Sequence, residues 1–133
     1  MDLVMRNIVT FSRALADTTR WRIVRMVTNN ALCVCELADI LDMPQSSVSS
    51  HVQIIRKAGL LESEKCEKWT YFRIEARYLK VIQTMENLFN DGDTNAWNED
   101  EAKMMKRLEE RLGSCCPGPR RLASRKRTNT QRS

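Results

Sequence analysis

The chain has 133 residues, 42% hydrophobic and 29% charged, which suits one globular domain with a modest core. No apolar run approaches the ~18 residues of a membrane span, and Arg6, Asn7, Ser12 and Arg13 interrupt the opening MDLVMRNIVTFSRALAD, so neither a membrane association nor a secretory signal is expected and the protein is placed in the cytoplasm. The net charge of +5 belongs to the tail: five arginines, one lysine and no acid follow from Pro117, whereas residues 1–116 carry 16 basic and 17 acidic side chains, so charge alone is no warrant for a DNA-binding body.

In chain order, Ile8, Phe11 and Leu15 recur at near-helical spacing, as do Ile23, Val24, Met26 and Val27, with Asp17 as a helix-start cap between the two blocks and Asn29-Asn30 as the close of the second. ALCVCELADILDM predicts a short third helix bearing Leu37, Ile40 and Leu41, broken at Asp42-Met43. Pro44 then opens a fourth helix, in whose first turn a missing N–H costs nothing, and Gly59 is a plausible carboxyl-terminal cap. In that fourth helix Val48, Val52 and Ile55 share one face, while Ser46, Ser50, Gln53 and Lys57, flanked by Ser49, lie roughly opposite.

LLESEK and KWTYFRI follow as two strands of a hairpin with Cys66-Glu67 at its tip. A helix is expected from about Arg77 to Phe89, a turn at Asn90-Asp91-Gly92-Asp93, and a last helix from Glu99 to Leu112. The chain therefore divides into residues 1–112, a folded domain, and residues 113–133, a Cys-Cys and Arg-rich tail expected to be disordered. The fold class is mainly α with a small β-hairpin.

Two short helices joined by a tight turn, the second polar on its outer face and followed by a charged hairpin, make a winged helix-turn-helix. Such a recognition helix buries one face in its own domain and offers the other to the major groove of double-stranded DNA. Four serines within five residues (Ser46, Ser47, Ser49, Ser50) weaken a helix, because serine competes for backbone hydrogen bonds. Contact with phosphates or base edges gives a reason for them. Lys65 and Lys68 on the hairpin are placed to grip the backbone beside the groove.

LADTTRWRIVRMV, ALCVCELADIL, QSSVSSHVQIIRKAGLL and KWTYFRI together resemble, in order over roughly residues 8–80, the ArsR/SmtB family of metal-responsive repressors. The resemblance implies a homodimer joined through its amino- and carboxyl-terminal helices, bound to operator DNA through Gln45, Ser46, Ser47, Ser49 and Ser50 with Lys65 and Lys68 on the wing. His51 fits the family motif and reads as a packing or hydrogen-bonding residue. Cys33 and Cys35 resemble the thiol motif of the arsenic, antimony, cadmium and lead sensors. The histidine and carboxylate site of the zinc and nickel branch is absent.

Residues i and i+2 of a regular helix point about 200° apart, so Cys33 and Cys35 can share one ion only if Cys33 precedes the helix or its first turn unwinds. In the arsenic branch a third cysteine commonly stands three positions past the second; here that residue is Ala38. The missing sulfur must come from elsewhere, or the ligand needs only two. Cys115 and Cys116 rank first, ahead of Cys66, whose place at the hairpin tip suggests an exposed turn residue.

The expected function is a repressor released when thiolates bind As(III) or Sb(III). The same fold responding to Cd(II) or Pb(II), or to thiol oxidation, are the alternatives. With no Cys-x-x-Cys, no βαβ pattern and no histidine beside the thiols, an enzyme is not expected.

Overall fold

The computed structural model describes residues 6–89, 94–114, 116–122, 124 and 125. Helices α1 (Ile8–Leu15) and α2 (Thr18–Met26) lead to a two-residue strand β1 (Leu32–Cys33), then α3 (Val34–Leu41), α4 (Gln45–Lys57), the hairpin β2 (Leu61–Cys66) and β3 (Trp69–Ile74), α5 (Leu79–Leu88) and α6 (Thr94–Glu109). Short 3₁₀ turns at Ala76–Tyr78 and Glu110–Gly113 complete the order. None of the described helices is long and apolar enough to cross a membrane.

The boundaries follow local chemistry. Asp17 starts α2 by accepting the Arg20 N–H at 3.0 Å, as its position in the sequence predicts. Asp42 ends α3 in the left-handed conformation (φ 54°), and Gly59 follows α4 at φ 84°, which glycine adopts without steric cost. Pro44 stands one position earlier than expected: it is the N-cap of α4, with extended backbone, rather than a residue of the first turn. The last helix begins at Thr94, not Glu99, and the expected turn at 90–93 lies outside the described residues.

Ile23, Val24, Leu37, Val52 and Ile55 are all within 1% of full burial and form the main core with Val48, Leu60, Ile74 and Ile82. The predicted apolar face of α4 is therefore its buried face, and α3 packs on α4 as a helix-turn-helix.

Strand β1 was not legible in the sequence. Leu32 pairs with Phe72 and Cys33 with Tyr71, giving a three-stranded antiparallel sheet in the order β1-β3-β2. A second small cluster lies against this sheet: Ala31, Cys33, Cys66, Tyr71, Cys116 and Leu122, flanked by Cys35 and Trp69. Cys66 is thus a correction. It ends β2 with 6% of its surface exposed, and the hairpin tip is Glu67-Lys68, where Glu67 takes φ 57°.

The tail is corrected as well. Residues 116–122, 124 and 125 do not hang free but cross the sheet. The Glu64 carboxylate accepts the backbone N–H groups of Arg120, Arg121 and Leu122 at 2.7, 2.7 and 2.9 Å, and Arg125 reaches the Thr28 carbonyl at 2.7 Å and Glu62 at 2.8 Å. Residues 126–133 lie outside the described residues.

A three-thiol candidate site beside the helix-turn-helix

Cys33 closes β1 and is the N-cap of α3, with φ −93° and ψ 168°. It therefore precedes the helix, and its sulfur can turn toward that of Cys35 in the first turn. The two Sγ atoms lie 3.3 Å apart. Cys116 brings a third sulfur from beyond α6, 3.0 Å from Cys35 and 3.6 Å from Cys33. Among the described residues this is the one cluster of three or more such donors whose ligand atoms converge. Cys115 lies outside the described residues, and Cys66, although buried nearby, is not part of that group.

Charged side chains hold the site from behind. Glu36 is fully buried and accepts the Cys33 N–H at 3.1 Å. Arg111 grips the same carboxylate with two bonds of 2.7 and 2.9 Å, donates to the Ala31 carbonyl at 2.6 Å and lies over the Tyr71 ring. Arg107, paired with Asp39 at 2.9 Å, directs a second nitrogen at the Cys116 sulfur from 3.7 Å.

Burial pushes the Cys33 thiol well above the ordinary thiol range, and the neighbouring Glu36 and Cys35 charges add to it. Burial also raises Cys116, with its hydrogen bond to Cys35 acting in the same direction. Both shifts favour the neutral thiol over the thiolate.

Sequence reasoning missed Glu36, Arg107 and Arg111. One signal was available for Glu36: it stands three residues after the N-cap, the position from which an acidic side chain returns to the cap's backbone N–H. The arginines carry no such signal.

The expected DNA-reading residues lie on α4 and on the wing hairpin. Gln45, Ser46 and Ser50 are exposed on α4, and Ser47 and Ser49 are half-buried. The Ser50 hydroxyl donates to the Ser46 carbonyl at 3.1 Å, which leaves its oxygen free to accept. Lys65 and Lys68 are exposed on the wing, with the Lys68 ammonium 5.1 Å from the Trp69 ring centre. Gln45, Gln53 and Arg56 from α4 and Lys68 and Trp69 from the wing line a cleft that also touches Cys33 and Cys35. His51 sits at the helix flank with its Nδ1 3.3 Å from Arg20 and 3.8 Å from Asp17, away from the thiols.

Comparison with known proteins agrees with this architecture. Residues 17–63 match the sequence profile described as "Bacterial regulatory protein, arsR family". The arsenic resistance transcriptional regulator ArsR1 of Pseudomonas putida is 30% identical over 111 residues, covering 80% of this chain and 86% of that protein. The cadmium resistance transcriptional regulatory protein CadC of Listeria innocua is 34% identical over 77 residues, covering 57% of this chain and 63% of that protein. The homodimeric winged helix-turn-helix DNA-binding domain of Mb0332 from Mycobacterium bovis shares the fold with a TM-score of 0.59 at 19% identity, covering 63% of this chain and 79% of that one. With a matched profile over the helix-turn-helix and a relative aligned across most of both lengths, the chain belongs to the ArsR family: it is a transcriptional regulator, not an enzyme.

Proposed function

We propose that the chain is a metalloid-responsive repressor that binds operator DNA as a homodimer and releases it when Cys33, Cys35 and Cys116 capture As(III) or Sb(III). The observation that carries this reading is the triangle of sulfurs with edges of 3.0, 3.3 and 3.6 Å. A soft ion about 2.3 Å from each sulfur, a typical metal–thiolate length, would subtend angles of roughly 80–105° between them. That is narrower on average than a tetrahedral centre requires and suits a three-coordinate pyramidal one.

Protonation supports the same choice. Arsenous acid, As(OH)₃, condenses with three neutral thiols to give As(SR)₃ and three waters, so no net charge is made or released. A divalent ion would have to expel protons from Cys33 and Cys116, whose thiols burial holds in the neutral form. On this reading Cd(II) and Pb(II) are the alternative ligands, whose capture must release thiol protons.

Capture would bond the N-cap of α3 and its first turn to Cys116 where they already meet. Because α3 packs on α4, restraining it there would fix the position of the recognition helix relative to the wing. A homodimer is supported by large apolar side chains left exposed on the terminal helices: Ile8 and Val9 on α1, Leu88 and Phe89 at the end of α5, and Met105 on α6.

The 3.0 Å approach of Cys35 to Cys116 favours one second reading. A two-electron oxidant such as a peroxide would join these sulfurs as a disulfide, with both thiol protons and both electrons passing to the oxidant. The test is fluorescence anisotropy of the reduced protein on DNA from upstream of its own gene. As(III) should release the DNA and Cys33→Ser should block release. DNA binding that ignores As(III) but is lost on oxidation and restored by a thiol reductant would select the redox reading instead.

A further inference from the structure

Cys116 is the sulfur donor that belongs to neither the helix-turn-helix nor the wing, and it has no secondary structure of its own to hold it in place. What holds it is a series of polar contacts along the segment that follows α6. The Cys116 N–H donates to Ser114 Oγ at 3.2 Å. Gly118, at φ 91°, turns the chain so that its N–H reaches the Tyr71 hydroxyl at 2.7 Å, and any Cβ there would press on the Arg111 side chain at 3.3 Å. Beyond it, three consecutive backbone N–H groups close on the single carboxylate of Glu64.

Glu64 and Tyr71 are wing residues. Along β2, successive side chains face opposite sides of the sheet: Glu64 is buried under the segment, while the adjacent Lys65 is exposed. The segment thus fastens to the back of the wing and carries the third sulfur into place in the same act. Leu122 is its buried apolar contact besides Cys116. Docking of such a segment relies on polar contacts and on whatever Cys116 binds.

We propose that this segment is a latch, and that Glu64 is a positioning residue for ligand capture: its carboxylate seats residues 120–122 on the wing and thereby holds Cys116 at the thiol pair. The inference rests on the sensor reading above. Ligand capture and fastening of the wing become one coupled event, so each must strengthen the other by the same factor. Glu64 touches none of the three sulfurs, and its effect on ligand affinity passes through Cys116.

The experiment is a double-mutant cycle on the full chain with As(III) as the probe, read by thiolate-to-arsenic absorption in the ultraviolet. Glu64→Gln, which removes the charge and one accepting oxygen, should weaken As(III) binding about tenfold in the otherwise unmodified protein and have no effect beside Cys116→Ser. Equal weakening in both backgrounds, or none in either, overturns the latch. Should Glu64→Gln fail to fold, amide hydrogen exchange on the unmodified protein decides: As(III) should slow exchange at Arg120, Arg121 and Leu122, and unchanged rates overturn the coupling. If the unmodified protein takes up no As(III), the sensor reading itself fails before any substitution is made.

Discussion

Glu36 and Arg111 form a two-bonded ion pair, 2.7 and 2.9 Å, that joins the first turn of α3 to the 3₁₀ turn ending α6. The Glu36 carboxylate has no exposed surface, so its charge depends on this partner and on the Cys33 N–H. A buried pair adds little over an apolar substitute, but removing one member leaves a charge stranded.

Arg111→Met should therefore lower unfolding stability by about 3–5 kcal/mol. Urea unfolding of reduced, ligand-free protein measures this. A loss below 1 kcal/mol would mean that water reaches Glu36. Replacing both residues together, Glu36→Gln with Arg111→Met, should recover much of the loss.

Two pH responses follow from the raised thiols. Between pH 6 and 8 the affinity for As(III) should be nearly flat, since condensation with As(OH)₃ releases no protons. The affinity for Cd(II) should rise about a hundredfold per pH unit, because at least Cys33 and Cys116 must give up protons. Competition titrations at three pH values distinguish these slopes. A parallel rise for both ligands would count against arsenous acid as the captured species.

The same thiols bear on stability. Folding raises the Cys33 pKa, so the folded state keeps its proton where the unfolded chain loses it. This contribution is complete below the ordinary thiol range of about 8.5 and declines as pH climbs above it. Thermal unfolding should show the melting temperature falling from pH 8 to pH 10, with Cys33→Ala flattening the fall.

On DNA, Lys65→Ala or Lys68→Ala should each reduce the salt dependence of operator binding by roughly one unit of slope and weaken all sequences alike. Gln45→Ala or Ser46→Ala should instead cost about 1–3 kcal/mol on the operator and little on random duplex. Binding isotherms at several salt concentrations separate the two classes. If the lysines prove sequence-selective and the α4 residues do not, the assignment of helix and wing is reversed.

The dimer prediction concerns Ile8 and Phe89, which are 73% and 70% exposed. Phe89→Asp with Ile8→Asp should convert a dimer to a monomer in sedimentation while leaving the helical circular dichroism intact. A dimer that survives both substitutions places its interface elsewhere.

Much of this architecture was legible because periodicity reports burial. Val48, Val52 and Ile55 declared the inner face of α4, and the strand-forming residues of KWTYFRI marked the wing, although adjacent Tyr71 and Phe72 are both buried in β3. Strand β1 was not legible: two residues cannot show an alternation, and the partners of Leu32 and Cys33 stand far along the chain at Phe72 and Tyr71. That Cys33 must precede its helix, or the first turn unwind, for the two sulfurs to share an ion followed from helical geometry alone. Arg107 and Arg111 escaped notice because an arginine on an amphipathic helix has the same local pattern whether it meets solvent or a buried carboxylate. The tail reads as disordered by composition, and capture of three backbone N–H groups by one distant carboxylate leaves no trace in sequence.

The pairing of Cys33 with Tyr71 makes a sulfur donor part of the same hydrogen-bonded ladder as the wing. On the proposed sensor reading, detector and effector are therefore not separable parts. A chimera given another relative's wing hairpin at residues 61–74 would also change the strand that holds Cys33, so exchange of DNA-contacting hairpins within the family should alter ligand response even when every cysteine is kept.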